Sequence, residues 1–253
     1  MAEWRALYDQ QLRYGYHTPG YRREVTPYLV RYVSLWEEKG YVLWSNLDTT
    51  SAPRIIQDEM AYFKAMGQPF EWKVFDYDTP VHLPDLLVKE GFQADEPEAV
   101  MVKSGTVAKV SGHLPLVTEI TTADGIDDII RLEQAIWNQD FDDLKVRLLR
   151  DKDQRPNHLF LYGVYQGRQL VSAAWMYLEP GSSFATLWGG STLPAFRGRG
   201  CYTALLQGRS QKALEAGHLY LTVDARLMSR PILERNGFWC LATTTGFQSP
   251  NHN

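Results

Sequence analysis

The spacing of apolar and polar residues changes several times along this chain, and each change marks an element. From Ser183 to Leu193 apolar positions dominate, which predicts a strand, and Gly189 with Gly190 inside it predicts a bulge or a close backbone approach. From Tyr202 to Glu215 the period becomes helical, with Cys201, Leu205 and Gly208 on one side and Gly217 just past the end as a C-terminal cap. Leu219 to Asp224 reads as a strand again. A second helix is expected from about Ser229, with that serine as N-cap and Pro231 in the first turn, closing at Asn236-Gly237-Phe238.

Upstream, Val117 to Thr121 alternates as a strand does, and Asp124 is placed to cap a helix from Ile126 to Trp137. That helix has an apolar face of Ile126, Ile129, Ile130, Leu132 and Ile136 with one charged break, Glu133. A short helix follows from Phe141 to Arg150. Leu159 to Tyr165 and Leu170 to Leu178 then form a hairpin around the polar turn Gln166-Gly167.

The first hundred residues repeat this layout. A shift of about 146 positions lays Val74-Phe-Asp-Tyr-Asp78 over Tyr220-Leu-Thr-Val-Asp224, and Gly91-Phe92 over Gly237-Phe238. It also lays a strand, Tyr41 to Leu47, over the one ending at Leu193, and a helix, Ile55 to Met66, over the one after Gly200. The aromatics of this half, Tyr28, Tyr32 and Trp36 among them, suit an acceptor-binding wall or, with their helical spacing, a helix packed in the core or at a domain interface, and the loop from Tyr14 to Tyr21 carries too many aromatics to stay exposed. Between Lys103 and Pro115 the hydrophobic period fades and Ser, Gly and Pro collect, marking a boundary or a strand crossing between the halves. The expected division is residues 1–112 and 113–253.

Composition narrows the function classes. With 30 acidic against 26 basic residues the net charge is −4, which disfavours a general nucleic-acid or anionic-membrane binder. No run approaches the roughly 20 apolar residues of a membrane span, and the opening Met-Ala-Glu-Trp-Arg has no signal-peptide core, so a cytoplasmic site of action is expected. Two cysteines, Cys201 and Cys240, fit a reducing compartment, and no His/Cys spacing suggests a metal site.

The chemistry concentrates at Pro194-Ala-Phe-Arg197-Gly198-Arg199-Gly200-Cys201-Tyr202-Thr203. Glycine lets the backbone approach a ligand, a helix opening at Cys201 aims free amides and its dipole at an anion, and two arginines add planar charge. In the N-terminal copy this place is Ser51-Ala-Pro-Arg54, where no glycine allows the same cradle. Strand, Arg-Gly-x-Gly turn, helix, strand, helix and Gly-Phe in this order resemble the Gcn5-related N-acetyltransferase (GNAT) superfamily, closely from about Trp188 to Phe247 and in layout from about Leu116.

The resemblance implies an α/β fold of α+β type, with a mixed, mostly antiparallel sheet flanked by helices and a smaller, degenerate N-terminal unit. It implies acetyl-coenzyme A, or another acyl-coenzyme A, as co-substrate, held at Ser191, Thr192, Leu193, Arg197, Gly198, Arg199, Gly200, Cys201, Tyr202 and Thr203. The acyl group would pass to an amine on a small molecule or a protein. Three departures from the family pattern stand out: the strand before the turn offers Thr186, Trp188, Ser191 and Thr192 but no acid, Leu233 stands where a tyrosine often donates a proton to the thiolate, and Arg226 stands where an asparagine often contacts the cofactor arm.

For the unfilled roles the candidates are Asp224 as base, Ser229 as a donor near the thioester and Tyr202 as proton donor, each with a bland alternative as turn, cap or packing residue. Cys201 as a nucleophile is opposed by phosphate at the same helix end. Glu133 and Asp140 are placed to hold a cationic amine or to be solvated. The alternative to an acyltransferase is a non-catalytic acyl-coenzyme A sensor or protein-interaction module.

Overall fold

Twice along the chain a strand, a helix and a parallel strand follow one another. The computed structural model describes residues 2–36, 38–105, 113–226 and 229–250. In order it contains α1 (Ala2–Tyr8), a wider helical segment (Asp9–Tyr14), β1 (Tyr21–Val25), β2 (Leu29–Ser34), β3 (Gly40–Ser45), α2 (Ala52–Ala65), β4 (Phe70–Phe75), α3 (Leu83–Lys89), β5 (Gln93–Ala94) and β6 (Glu98–Ser104). There follow β7 (Thr118–Ile120), α4 (Ala123–Trp137), α5 (Asp142–Gln154), β8 (Leu159–Gln166), β9 (Gln169–Leu178), β10 (Phe184–Thr192), a 3-10 turn (Pro194–Phe196), α6 (Cys201–Glu215), β11 (Tyr220–Ala225), α7 (Arg230–Arg235) and β12 (Trp239–Gln248).

Contacts along the chain group residues 1–101 with 224–253, and residues 102–223 separately. This differs from a division near residue 112, and the segment 106–112 around that expected boundary lies outside the described residues. The last strand explains the grouping: β12 pairs antiparallel with β4 from Thr244↔Phe75 to Gln248↔Glu71 and also carries β5.

In the unit of residues 102–223 the strands run β11-β10-β9-β8-β7, antiparallel except for the parallel pair β10 and β11. Strand alternation sorts its side chains into two layers. Leu159, Leu161, Leu170, Ala173 and Trp175 pack with Ile126, Ile129 and Leu132 of α4 and Leu148 of α5. Phe160, one residue out of phase, faces α6, where the Lys212 ammonium lies 4.5 Å from its ring centre. Helix α4 is capped by Thr122, whose hydroxyl accepts from the Gly125 amide at 3.2 Å, and not by Asp124, which lies inside the first turn.

In the other unit β1, β2, β3 and β4 are neighbours in chain order, β3 and β4 being parallel. Its core gathers Leu29, Val33, Val42, Ile56, Phe63, Trp72, Leu83, Leu87 and Phe92 from strands, α2 and α3. Tyr28, Tyr32 and Trp36 lie on and beside β2 rather than on a helix. The docked loop is borne out: the Tyr32 hydroxyl donates to the Tyr16 carbonyl at 2.7 Å and their rings lie 5.9 Å apart. Mixed strands with flanking helices match the fold class read from the sequence.

Candidate functional site

The site grows from the way β10 leaves its parallel neighbour. Only Phe184, Ala185 and Thr186 pair with β11, opposite Tyr220, Leu221 and Thr222. Beyond Thr186 the strand continues to Thr192 bonded on its other edge to β9, so from Leu187 onward one backbone edge opens away from β11. The antiparallel register slips at Gly190, the extra residue between Gly189↔Ala174 and Ser191↔Ala173. Gly189 has φ +70°, and a Cβ there would stand 2.4 Å from the Trp175 ring, so both backbone and packing require glycine.

A buried cation braces the bulge from below. Arg209 of α6 is 1 % exposed and donates to the carbonyls of Leu205, Trp175 and Trp188. Burial lowers its proton affinity, and the neighbouring Tyr202 hydroxyl opposes that. Tyr202 therefore turns its oxygen inward, and its ring lies against Gly190. Burial raises its pKa and Arg209 pulls it down. Arg209 can only donate to that oxygen, so the phenolic proton stays with Tyr202. Arg209 itself was missed in the sequence, although its place four residues after Leu205 on the inner face of the helix was a signal.

After β10 the chain turns through Pro194–Phe196 and two glycines in the left-handed region, Gly198 at φ +73° and Gly200 at φ +79°. Gly200 is the N-cap of α6, with no side-chain cap, so the first-turn amides of Cys201, Tyr202 and Thr203 have no acceptor within the helix. Arg197 is exposed and ties the turn back by donating from Nε to the Thr192 carbonyl at 3.1 Å. Arg199 is exposed too, 5.1 Å over the Phe196 ring. Open edge, free amides and two guanidinium groups thus follow one another within about a dozen residues, an arrangement fitted to a long ligand with an anionic end.

At the end of β10 the structure joins residues that the sequence kept apart. The Ser191 hydroxyl donates to Glu133 Oε2 at 2.8 Å, and Trp137 Nε1 donates to the same oxygen at 2.9 Å. Ser172 holds the strand here, bonding the Ser191 carbonyl at 2.9 Å and sharing a 2.7 Å contact with the Thr192 hydroxyl. Burial raises the pKa of Glu133, and its two donors offset part of that rise. Asp140 stays exposed, its carboxylate accepting from the Asp142 amide.

Asp224 and Ser229 belong to the unit with residues 1–101. Asp224 is ion-paired with Lys73. Ser229 makes no side-chain cap bond, because its φ of −88° and ψ of −30° are already helical rather than extended. Leu233, in place of the family tyrosine, is 1 % exposed and packs as a core residue.

In the unit that holds residues 1–101 a second parallel strand pair parts, and a side chain fills the gap. Strands β3 and β4 pair parallel only from Gly40↔Phe70 to Val42↔Trp72, and β3 is bulged at Leu43, between Val30↔Trp44 and Arg31↔Val42. The Leu43 carbonyl accepts from Arg13 Nε at 3.0 Å. Arg13 also pairs with Asp78 at 2.7 Å and Asp9 at 3.0 Å, and lies 3.8 Å over the Phe75 ring. A side chain from the start of the sequence thus occupies the opening at this bulge.

Among the described residues no helix is long and apolar enough to cross a membrane, and no group of three or more His, Cys, Asp or Glu residues could hold a metal ion.

Residues 126–238 match the model of the acetyltransferase (GNAT) family. No curated protein matches the chain in sequence. Among solved structures, a GCN5-related N-acetyltransferase from Kribbella flavida is similar at 14% identity and TM-score 0.67, covering 99% of this chain and 96% of that one. A tandem GNAT protein from the clavulanic acid biosynthesis pathway is similar at 10% identity and TM-score 0.62, covering 94% and 86%. A GNAT-family acetyltransferase from Colwellia psychrerythraea follows at 13% identity and TM-score 0.57, covering 98% and 95%. At these identities the likeness is one of fold, and it agrees with the match of residues 126–238 to the GNAT acetyltransferase family and with the split between β10 and β11.

Proposed function

We propose that the unit of residues 102–223 binds acyl-coenzyme A, acetyl-coenzyme A in the first instance, and transfers the acyl group to an amine on a small molecule or a protein. The parting of β10 from β11 after Thr186 carries this reading. An unpaired strand edge is what the amide-bearing pantetheine arm can join as an added strand, along Ser191, Thr192 and Leu193. The pyrophosphate then meets the amides of Cys201, Tyr202 and Thr203 across Gly198 and Gly200, with Arg197 and Arg199 supplying charge. Positioning the thioester beside the amine is the unit's main contribution to rate. The free thiols Cys201 and Cys240 suit a cytoplasmic setting. The N-terminal copy is a degenerate relative whose opening Arg13 fills, and it binds no cofactor.

A non-catalytic acyl-coenzyme A sensor is the second reading, favoured by the buried Leu233 where a proton donor would stand. The experiment is calorimetric titration of wild type and Gly200→Val with acetyl-coenzyme A. Valine at φ +79°, with its Cβ 3.2 Å from Leu114, forces the turn to move. Binding lost in a variant that still folds is the expected result; undiminished affinity contradicts the placement of the site. Thiol release on adding amines separates transferase from sensor.

A further inference from the structure

An acyl transfer to an amine needs a group that takes the amine proton, and β10, Phe-Ala-Thr-Leu-Trp-Gly-Gly-Ser-Thr, carries no ionisable side chain. A carboxylate nevertheless reaches this strand from the neighbouring helix. Glu133 is 4 % exposed and stands on the apolar face of α4, where a methionine or leucine would pack more easily. One of its oxygens, Oε2, accepts from Ser191 and Trp137, while Oε1 is buried and has no hydrogen-bond partner among the described residues. A side chain kept only for packing has no reason to bury an unsatisfied carboxylate oxygen.

Among the described residues nothing charged answers it from the elements packed around it. On α4, Asp127 is held by Lys145 of α5, and Asp128 by Arg131 and by Tyr165 of β8. Asp151 of α5 is engaged by Arg150 and by Tyr177 of β9. Glu133 thus depends on burial and two neutral donors alone, the situation of a carboxyl poised to change its protonation in use.

We propose that Ser191 and Glu133 form the proton acceptor of the transfer, Ser191 Oγ taking the proton of the attacking amine as its own hydroxyl proton moves to Glu133 Oε2. This rests on the reading of the β10 edge as the acyl-thioester site. The amine lone pair forms the C–N bond at the acyl carbon, the carbonyl electrons return as the C–S bond breaks, and the sulfur leaves with the bonding pair. The proton stored on Glu133 then reaches the thiolate through solvent, which restores the carboxylate and leaves a free thiol and an amide. Ser191 touches the substrate. Glu133 acts through it as a positioning and proton-storing residue.

The experiment compares wild type, Glu133→Gln, Ser191→Ala and the double variant, with acetyl-coenzyme A and four primary amines: tryptamine, spermidine, glucosamine and glycinamide. It reads acetyl-coenzyme A affinity by calorimetry and thiol release against pH. Glutamine keeps the acceptor oxygen for Ser191 and Trp137, so affinity and folding should match wild type. The rate near neutral pH should fall by about 10²–10⁴-fold. The acidic limb of the pH profile, set in wild type by Glu133, should vanish, and the double variant should lose little beyond either single one. A Glu133→Gln protein within threefold of wild type with the same limb overturns the proposal, as does a wild type that binds acetyl-coenzyme A and releases no thiol with any of the amines. A wild type that fails to bind acetyl-coenzyme A overturns the underlying site reading instead.

Discussion

Replacing Arg13 by methionine tests whether the opening of the N-terminal copy is held shut by its own chain. The side chain is 2 % exposed, and methionine fills most of its volume while removing every polar contact. Asp78, with a side chain 5 % exposed, would then keep only the Phe75 amide at 3.0 Å, and the Leu43 carbonyl would lose its donor. Breaking a buried ion pair from one side costs about 3–5 kcal/mol. For a chain of this size that is a fall in midpoint of about 6–20 °C, read by calorimetric melting. Asp78 already has its pKa raised by burial, and Arg13 pulls against that rise, so without Arg13 the pKa climbs further. A group whose folded pKa exceeds its unfolded one stabilises fully below the unfolded value and loses that contribution as pH rises through the folded value. The deficit of Arg13→Met should therefore be smallest near pH 4 and grow toward neutrality. Adding Asp78→Asn removes the orphaned charge and should recover more than half of the loss. A single variant within about 1 kcal/mol of wild type, or a double variant no better than the single, refutes the reasoning, since a buried pair cannot be broken so cheaply.

Further expectations concern the other copy. Gly189→Ala should cost about 2–4 kcal/mol, combining a left-handed backbone with an overlap on Trp175, whereas Gly167→Ala, at φ +62° with open space, should cost about 1 kcal/mol; chemical denaturation reads both, and equal costs contradict the bulge packing. Trp137→Phe removes a donor from the Glu133 carboxylate, so the acidic limb of activity should move to higher pH, and an unmoved limb contradicts the assignment of that limb. Because burial raises Glu133 above its ordinary value, the stability of wild type relative to Glu133→Gln should decline as pH rises from about 4 through the folded value, and a flat difference contradicts the burial argument.

The strands, the glycine turn and the helix from Ser183 to Glu215 were legible because local signals agree there: apolar run, left-handed glycines and helical period all mark the same boundaries. Tyr28, Tyr32 and Trp36 misled because a spacing of four is also two turns of a strand's period, and β2 is buried on both faces, with Val33 and Tyr32 on opposite sides. Asp224 read as a base because its ion partner, Lys73, lies 151 residues away. Long-range pairing hid the Ser191–Glu133 hydrogen bond for the same reason, although the charged break in an apolar stripe was visible as an oddity. Arg13 gave no signal at all, since nothing local distinguishes it from the exposed Arg22 or the half-buried Arg23.

One open split and one filled split in a single chain make a countable claim. Calorimetric titration of the wild-type protein with acetyl-coenzyme A, at concentrations bracketing the dissociation constant, gives the number of sites directly. The account predicts one site per chain, abolished by Gly200→Val and untouched by Asp78→Asn. Two sites would contradict the closure of the N-terminal copy by Arg13, and none would contradict the open edge of β10 as a cofactor site.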